Sequence, residues 1–132
     1  MKIDPAGTQP SRRAPAEWFD GTVWLDEIAG GAAPSHIYAL RVTFEPGART
    51  IWHSHPFGQT LHVLSGLGRV QKAGGPVNDI RPGDTVWIAP GEKHWHGASA
   101  RQGMVHLAIQ QGTAKDTATE WHERVSDAEY AG

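Results

Sequence analysis

The chain has 132 residues, 12 Lys and Arg against 14 Asp and Glu for a formal net charge of -2, 39% hydrophobic residues and no cysteine. That length encloses one hydrophobic core and leaves little for a second domain, and the charge balance offers no basic field for nucleic acid or an acidic membrane surface. Without cysteine there are no disulfides, thiolate ligands or thiol nucleophiles, so any transition metal must be bound through nitrogen and oxygen.

No apolar run approaches the length of a membrane span, and the first residues, MKIDPAGTQPSRRAP, lack the apolar core of a signal peptide. A cytoplasmic location is therefore expected. Sixteen Gly and nine Pro imply frequent turns, which suits many short strands better than long helices. Eight His and six Trp carry ring nitrogens that need partners when buried.

Residues 1–15 mix Pro, Gly, Ser, Thr and charge without periodicity and read as an arm; residues 16–132 read as one all-β domain. Strand-forming segments follow in order: TVWLDEI at 22–28, HIYALRVTF at 36–44, RTIWHSH at 49–55, TLHVLS at 60–65 and GRVQKA at 68–73. VNDI at 77–80, TVWIA at 85–89, KHWHGA at 93–98 and GMVHLAIQ at 103–110 complete the set. Between them stand the turn signals Glu45-Pro46-Gly47, Ser65-Gly66, Gly74-Gly75-Pro76, Arg81-Pro82-Gly83-Asp84 and Ala89-Pro90-Gly91, in the pattern of an antiparallel sandwich or barrel. The tail TEWHERVSDAEY reads as one more strand followed by a helical turn starting at Ser126, with Glu129 three residues on as in a capping box.

Strand periodicity puts His53 with His55 on one face and His94 with His96 on another. If His106 points inward, Met104, Ala108 and Gln110 go with it, and Val105, Leu107 and Ile109 form an outward apolar row that needs a cover. That row and the surplus of Trp predict self-association, as a homodimer or homotetramer. Leu40, Val42 and Phe44 share a face and are candidate pocket walls, with Trp87 and Gln110 beside them. His62 has the opposite parity to Gln59 and is expected to face away, while His36 and His122 sit near segment ends. Trp52 and Trp95 read as core or interface, and Arg49 and Lys93 as exposed strand ends.

Two imidazoles two residues apart, His53 and His55, converge on a point inside a barrel; Gln59 follows across a turn and His94 closes the set. Imidazole nitrogen with an amide oxygen suits Mn, Fe, Co, Ni or Zn. A lone His-x-His is a weak signal, but here turn glycines bracket it and a second His-x-His follows a Pro-Gly turn.

These segments resemble the two motifs of a cupin, a single jelly-roll or double-stranded β-helix barrel. Gly47, His53, His55, Gln59 and Gly66 fall at the spacings of the first motif, with Gln59 in the usual Glu position. Gly83, Gly91 and His94 fall at those of the second, with Ala89 and Ala98 replacing its Pro and Asn. FEPGARTIWHSHPFGQT, IRPGDTVWIAPGEKHWHGAS, VHLAIQ and VSDAEY resemble the small bacterial cupins that act as manganese-dependent R-selective hydroxynitrile lyases, a similarity shared with unassigned cupins related to carboxymuconolactone-decarboxylase-associated domains.

The resemblance implies Mn(II), with Fe(II), Ni(II) or Zn(II) as alternatives, and reversible cleavage of an (R)-cyanohydrin such as mandelonitrile to an aldehyde and hydrogen cyanide. The partner would be a small carbonyl compound or its cyanohydrin, with His96 and His106 lining the active site as proton carriers. Four neutral ligands leave the full divalent charge to stabilise a developing alkoxide, and they lack the carboxylate of oxygen-activating iron sites. A cupin-type dioxygenase and a non-catalytic small-molecule-binding cupin stand as alternatives on fold alone.

Overall fold

In a computed structural model the chain forms β1 (Arg12–Arg13), β2 (Phe19–Asp20), β3 (Val23–Gly30), β4 (Ile37–Phe44), β5 (Arg49–Thr50), β6 (His53–Ser54) and β7 (Gln59–Gly66). Then come β8 (Gly68–Lys72), β9 (Asn78–Ile80), β10 (Thr85–Ile88), β11 (His94–Ala98), β12 (Met104–Gln111), β13 (Glu120–Trp121) and the helix α1 (Asp127–Ala131). The structure describes residues 1–113, 115 and 117–132.

Two antiparallel sheets face each other. One has the order β1-β3-β4-β12-β7-β10; the other runs β13-β6-β11-β5-β2, with β8 also paired to β11 and carrying β9 on its far side. The all-β expectation and most segment boundaries hold. The segment 49–55 differs: it breaks into β5 and β6, because the Ile51 amide turns to the Trp18 carbonyl (3.0 Å) and the Trp52 amide to that of Glu123 (2.9 Å). The arm expected over 1–15 enters the first sheet at its end, where Arg12 pairs with Leu25 and Arg13 with Trp24.

Alternation creates the core. Leu40, Val42 and Phe44 of β4 lie opposite Ala108, His106 and Met104 of β12, and Leu61 and Val63 of β7 continue those rows. Val23, Phe44, Leu61, Val63 and Met104 are fully buried, and each contributes about 1.5–3 kcal/mol by leaving water. A second cluster of Trp52, Trp95, Val125 and Tyr130 packs α1 on the outside of the β11 sheet. Ser126 caps α1 in the expected box with Glu129, and Tyr130 anchors it by donating to the Ala98 carbonyl at 2.7 Å. Arg49 is also drawn into this anchor, donating to the Val125 carbonyl at 3.0 Å and to Asp127, while Lys93 pairs with Glu123.

One turn matters for the site. Gly58, at φ 82°, has the Ile88 carbonyl oxygen 2.5 Å from where a Cβ would stand. Only glycine lets the chain reverse there and deliver Gln59 to the start of β7.

Candidate metal centre

His53 of β6 lies directly opposite His94 of β11, and the strand period carries His96 to the same inner side. His53, His94 and His96 each bring one imidazole nitrogen within 4.8 Å of the others, all three buried. The His55 ring completes the group, its centroid 5.1 Å from that of His53 and 5.5 Å from that of His94.

Hydrogen bonding separates these rings by role. The Nδ1–H of His53 donates to the Ile51 carbonyl (2.8 Å), that of His55 to the Ala118 carbonyl (2.7 Å) and that of His94 to the Glu92 carbonyl (2.8 Å). A carbonyl can only accept, so all three imidazoles are held in the tautomer whose Nε2 carries a free lone pair. Gln59 is fixed too: its Nε2 donates to Gln110 Oε1 at 3.2 Å, which turns its Oε1 toward His94 Nε2 at 3.0 Å. Two acceptors then face each other in a buried place, an arrangement that a cation between them relieves. His55 Nε2 is likewise buried without a partner. The donor set fits a divalent metal.

Burial is the first cause that lowers every one of these histidines from the ordinary 6.5. His53 and His96 lie well below it, His55 is lowered, and His94 and His106 are each lowered to about 4. For His53 and His96 the neighbouring imidazoles push in the same direction. All five are neutral at pH 7, the form that ligates metals and accepts protons.

His96 differs from the other three. Its Nδ1 shares a 2.9 Å hydrogen bond with His106 Nε2 and no carbonyl fixes it, so either ring can be the donor. Its Nε2 is buried without a partner, as is His106 Nδ1. Phe44 packs against both rings, with centroids 5.9 and 5.3 Å away.

A cavity of about 250 Å³ opens onto His53, His55, Gln59 and His96. Of the candidate pocket walls, Leu40, Val42 and Gln110 line this cavity. Two expected wall residues do not. Phe44 is buried behind His96 and His106, and Trp87 points outward with 69% of its surface exposed. The register explains Trp87: Ile88 pairs with Gln59 and faces in, so Trp87 faces out. His106 is completely buried and stands behind the cavity, hydrogen-bonded to His96, which lines it. His62 faces away and meets Thr85 Oγ1 at 2.9 Å, and His122 is exposed.

The sequence reading missed the walls contributed by the two ends of the domain. Arg12, Pro15, Trp18 and Phe19 come from the N-terminal side and Thr119 and Trp121 from the C-terminal side. Trp18 and Trp121 stack at 4.9 Å with nearly parallel planes, and Trp121 lies 5.1 Å from the His53 ring. Their only signal in the sequence is aromatic residues in segments of weak pattern, which does not reveal a meeting between positions so far apart.

A double-sheeted barrel holding a buried imidazole cluster between its layers is the cupin architecture, and the chain belongs to that family: residues 40–110 match the cupin domain. Its relatives agree. It is 50% identical over 130 residues to the (R)-mandelonitrile lyase of Granulicella tundricola, covering 98% of both chains. Among solved structures, a cupin-like protein of Thermotoga maritima superposes with a TM-score of 0.86 at 35% identity, covering 96% of this chain and 95% of that one. A predicted oxalate decarboxylase of the same organism shares the fold at 19% identity with a TM-score of 0.72, over 82% of this chain and 96% of that one.

Proposed function

We infer that this protein is a metal-dependent lyase that cleaves an (R)-cyanohydrin such as mandelonitrile reversibly to aldehyde and hydrogen cyanide. The full-length likeness to a mandelonitrile lyase supports the reaction class. The single observation that supports the site is the triple Nδ1 anchoring of His53, His55 and His94, which with Gln59 Oε1 sets out three lone pairs and one amide oxygen for a divalent ion, Mn(II) in our reading. When bound, that ion supplies a Lewis acid that lowers the pKa of the substrate hydroxyl.

The remaining chemistry belongs to the chain. The His96 ring lines the cavity without a fixed tautomer, so its buried, unpartnered Nε2 accepts the hydroxyl proton when its Nδ1–H donates to His106. The proton then passes to the departing cyanide, which leaves as hydrogen cyanide. His106 acts through His96 as a positioning residue. Leu25, Leu40, Val42 and Ala108 exclude water around the organic group, and Trp18 and Trp121 close over it.

The outer face of the β12 sheet, with Ile37, Leu64, Trp87 and Ile109 exposed, supports self-association through that face. The test of the lyase reading is mandelonitrile cleavage under strict exclusion of oxygen, with metal content measured on the same sample. Turnover that needs the metal and no oxygen is expected; turnover only in the presence of oxygen would replace the reading with a dioxygenase.

A further inference from the structure

The cavity is one-sided in charge. Arg12 lines it together with apolar, aromatic, amide, hydroxyl and imidazole groups, and among the described residues no Asp or Glu does. This holds although acidic residues outnumber basic ones in the whole chain. Arg12 is on the inner face by register: it pairs with Leu25, Leu25 with Val42, and Val42 with His106, one continuous row across the sheet. Its neighbour Arg13 faces the other way, bonding Thr22 Oγ1 at 3.1 Å and lying over the Trp24 ring. Among the described residues no hydrogen bond or ion pair engages the Arg12 guanidinium.

We propose that Arg12 is a specificity residue that binds an anionic group, a carboxylate, on the end of the substrate remote from the histidine cluster. The inference rests on the lyase reading for the reacting end only. Arg12 is exposed at the mouth of this apolar cavity, and a guanidinium is the group best shaped for a carboxylate, with two parallel N–H donors. The chemistry that fits is a rigid apolar body bearing a hydroxyl or carbonyl at one end and a carboxylate at the other. A charge directed inward on an edge strand also guards against edge-to-edge pairing, and that role would not discriminate between ligands.

The experiment is calorimetric titration of the manganese-loaded full-length protein with 4-(hydroxymethyl)benzoate and with its neutral counterpart 4-methylbenzyl alcohol. The carboxylate should bind about tenfold tighter or more. That ratio should collapse toward one in Arg12→Gln and fall only partway in Arg12→Lys, which keeps the charge but loses the paired N–H donors. Equal affinities in the wild type, or an undiminished ratio in Arg12→Gln, would overturn the proposal. A parallel assay on the cyanohydrins of 4-formylbenzoate and benzaldehyde separates the two readings. The intact binding ratio without cleavage of either cyanohydrin would uphold Arg12 and sink the lyase; cleavage with no binding ratio would do the reverse.

Discussion

Replacing Gln59 by Glu adds one charge to a site otherwise built of neutral donors. The side chain is 5% exposed, so solvent screens the new carboxylate poorly. At about 4 Å and an effective dielectric of about 20, like charges repel by about 4 kcal/mol. A developing alkoxide near the same ion therefore loses about 1.4 to 4 kcal/mol of stabilisation, a fall in kcat of about ten- to a thousandfold. Two local effects accompany it. The hydrogen bond from Gln59 Nε2 to Gln110 is lost, although Gln110 recovers one by turning its amide to donate. In the metal-free variant the carboxylate, placed where Oε1 now stands 3.0 Å from His94 Nε2, favours protonated His94 and raises it from about 4. Metal uptake then becomes more dependent on pH, while at neutral pH the ion stays bound, because carboxylate is a good donor to a hard cation. The assay is anaerobic mandelonitrile cleavage followed by benzaldehyde absorbance, with metal measured on the same sample. Undiminished turnover at full metal occupancy would refute the reasoning about the neutral amide.

Substituting His53, His55 or His94 by Ala should abolish metal retention in elemental analysis while circular dichroism stays that of a β-protein, since the fully buried apolar rows lie apart from these rings. His106→Phe keeps an aromatic ring beside Phe44 but removes the partner of His96 Nδ1; kcat should fall about tenfold or more with metal content unchanged, as expected for loss of an acid–base positioning contact. For pH, His94 and His106 are held at about 4 in the fold against 6.5 when exposed. Between those values the unfolded chain binds protons that the folded chain does not, so stability falls as pH drops from 6.5 toward 4, by up to about 1.4 kcal/mol per pH unit for each ring. Urea midpoints of the metal-free protein between pH 7 and pH 4.5 should show this decline, and a flat profile would contradict the neutral cluster. Sedimentation should show a dimer or larger at micromolar concentration, and Ile109→Lys, on the outer sheet face, should shift it toward monomer.

Local chemistry explains how much could be read before folding. Alternating apolar residues bounded by Pro and Gly placed nearly every strand, and the capping box placed α1, because both depend on neighbours in sequence. The spacing of His53, His55, Gln59 and His94 marked the cluster for the same reason: a two-residue period puts side chains on one face whatever the rest of the chain does. Inner and outer faces were legible on β12, where buried Met104, His106 and Ala108 alternate with the more exposed Val105, Leu107 and Ile109, but not on β10. There Val86 and Trp87 are both apolar, and only pairing with β7 decides that Trp87 meets solvent.

Only the tertiary structure decided which group each histidine meets. The carbonyls that fix the tautomers of His53 and His94 are two residues away, but the one that fixes His55 is that of Ala118, and the partner of His96 is His106 on the opposite sheet. Arg12, Trp18 and Trp121 likewise join one cavity wall from the two ends of the domain. Sequence periodicity assigns a side chain to a face of its own strand. Which distant group that face meets depends on sheet register and layer packing, and these are settled when the whole chain closes around its core.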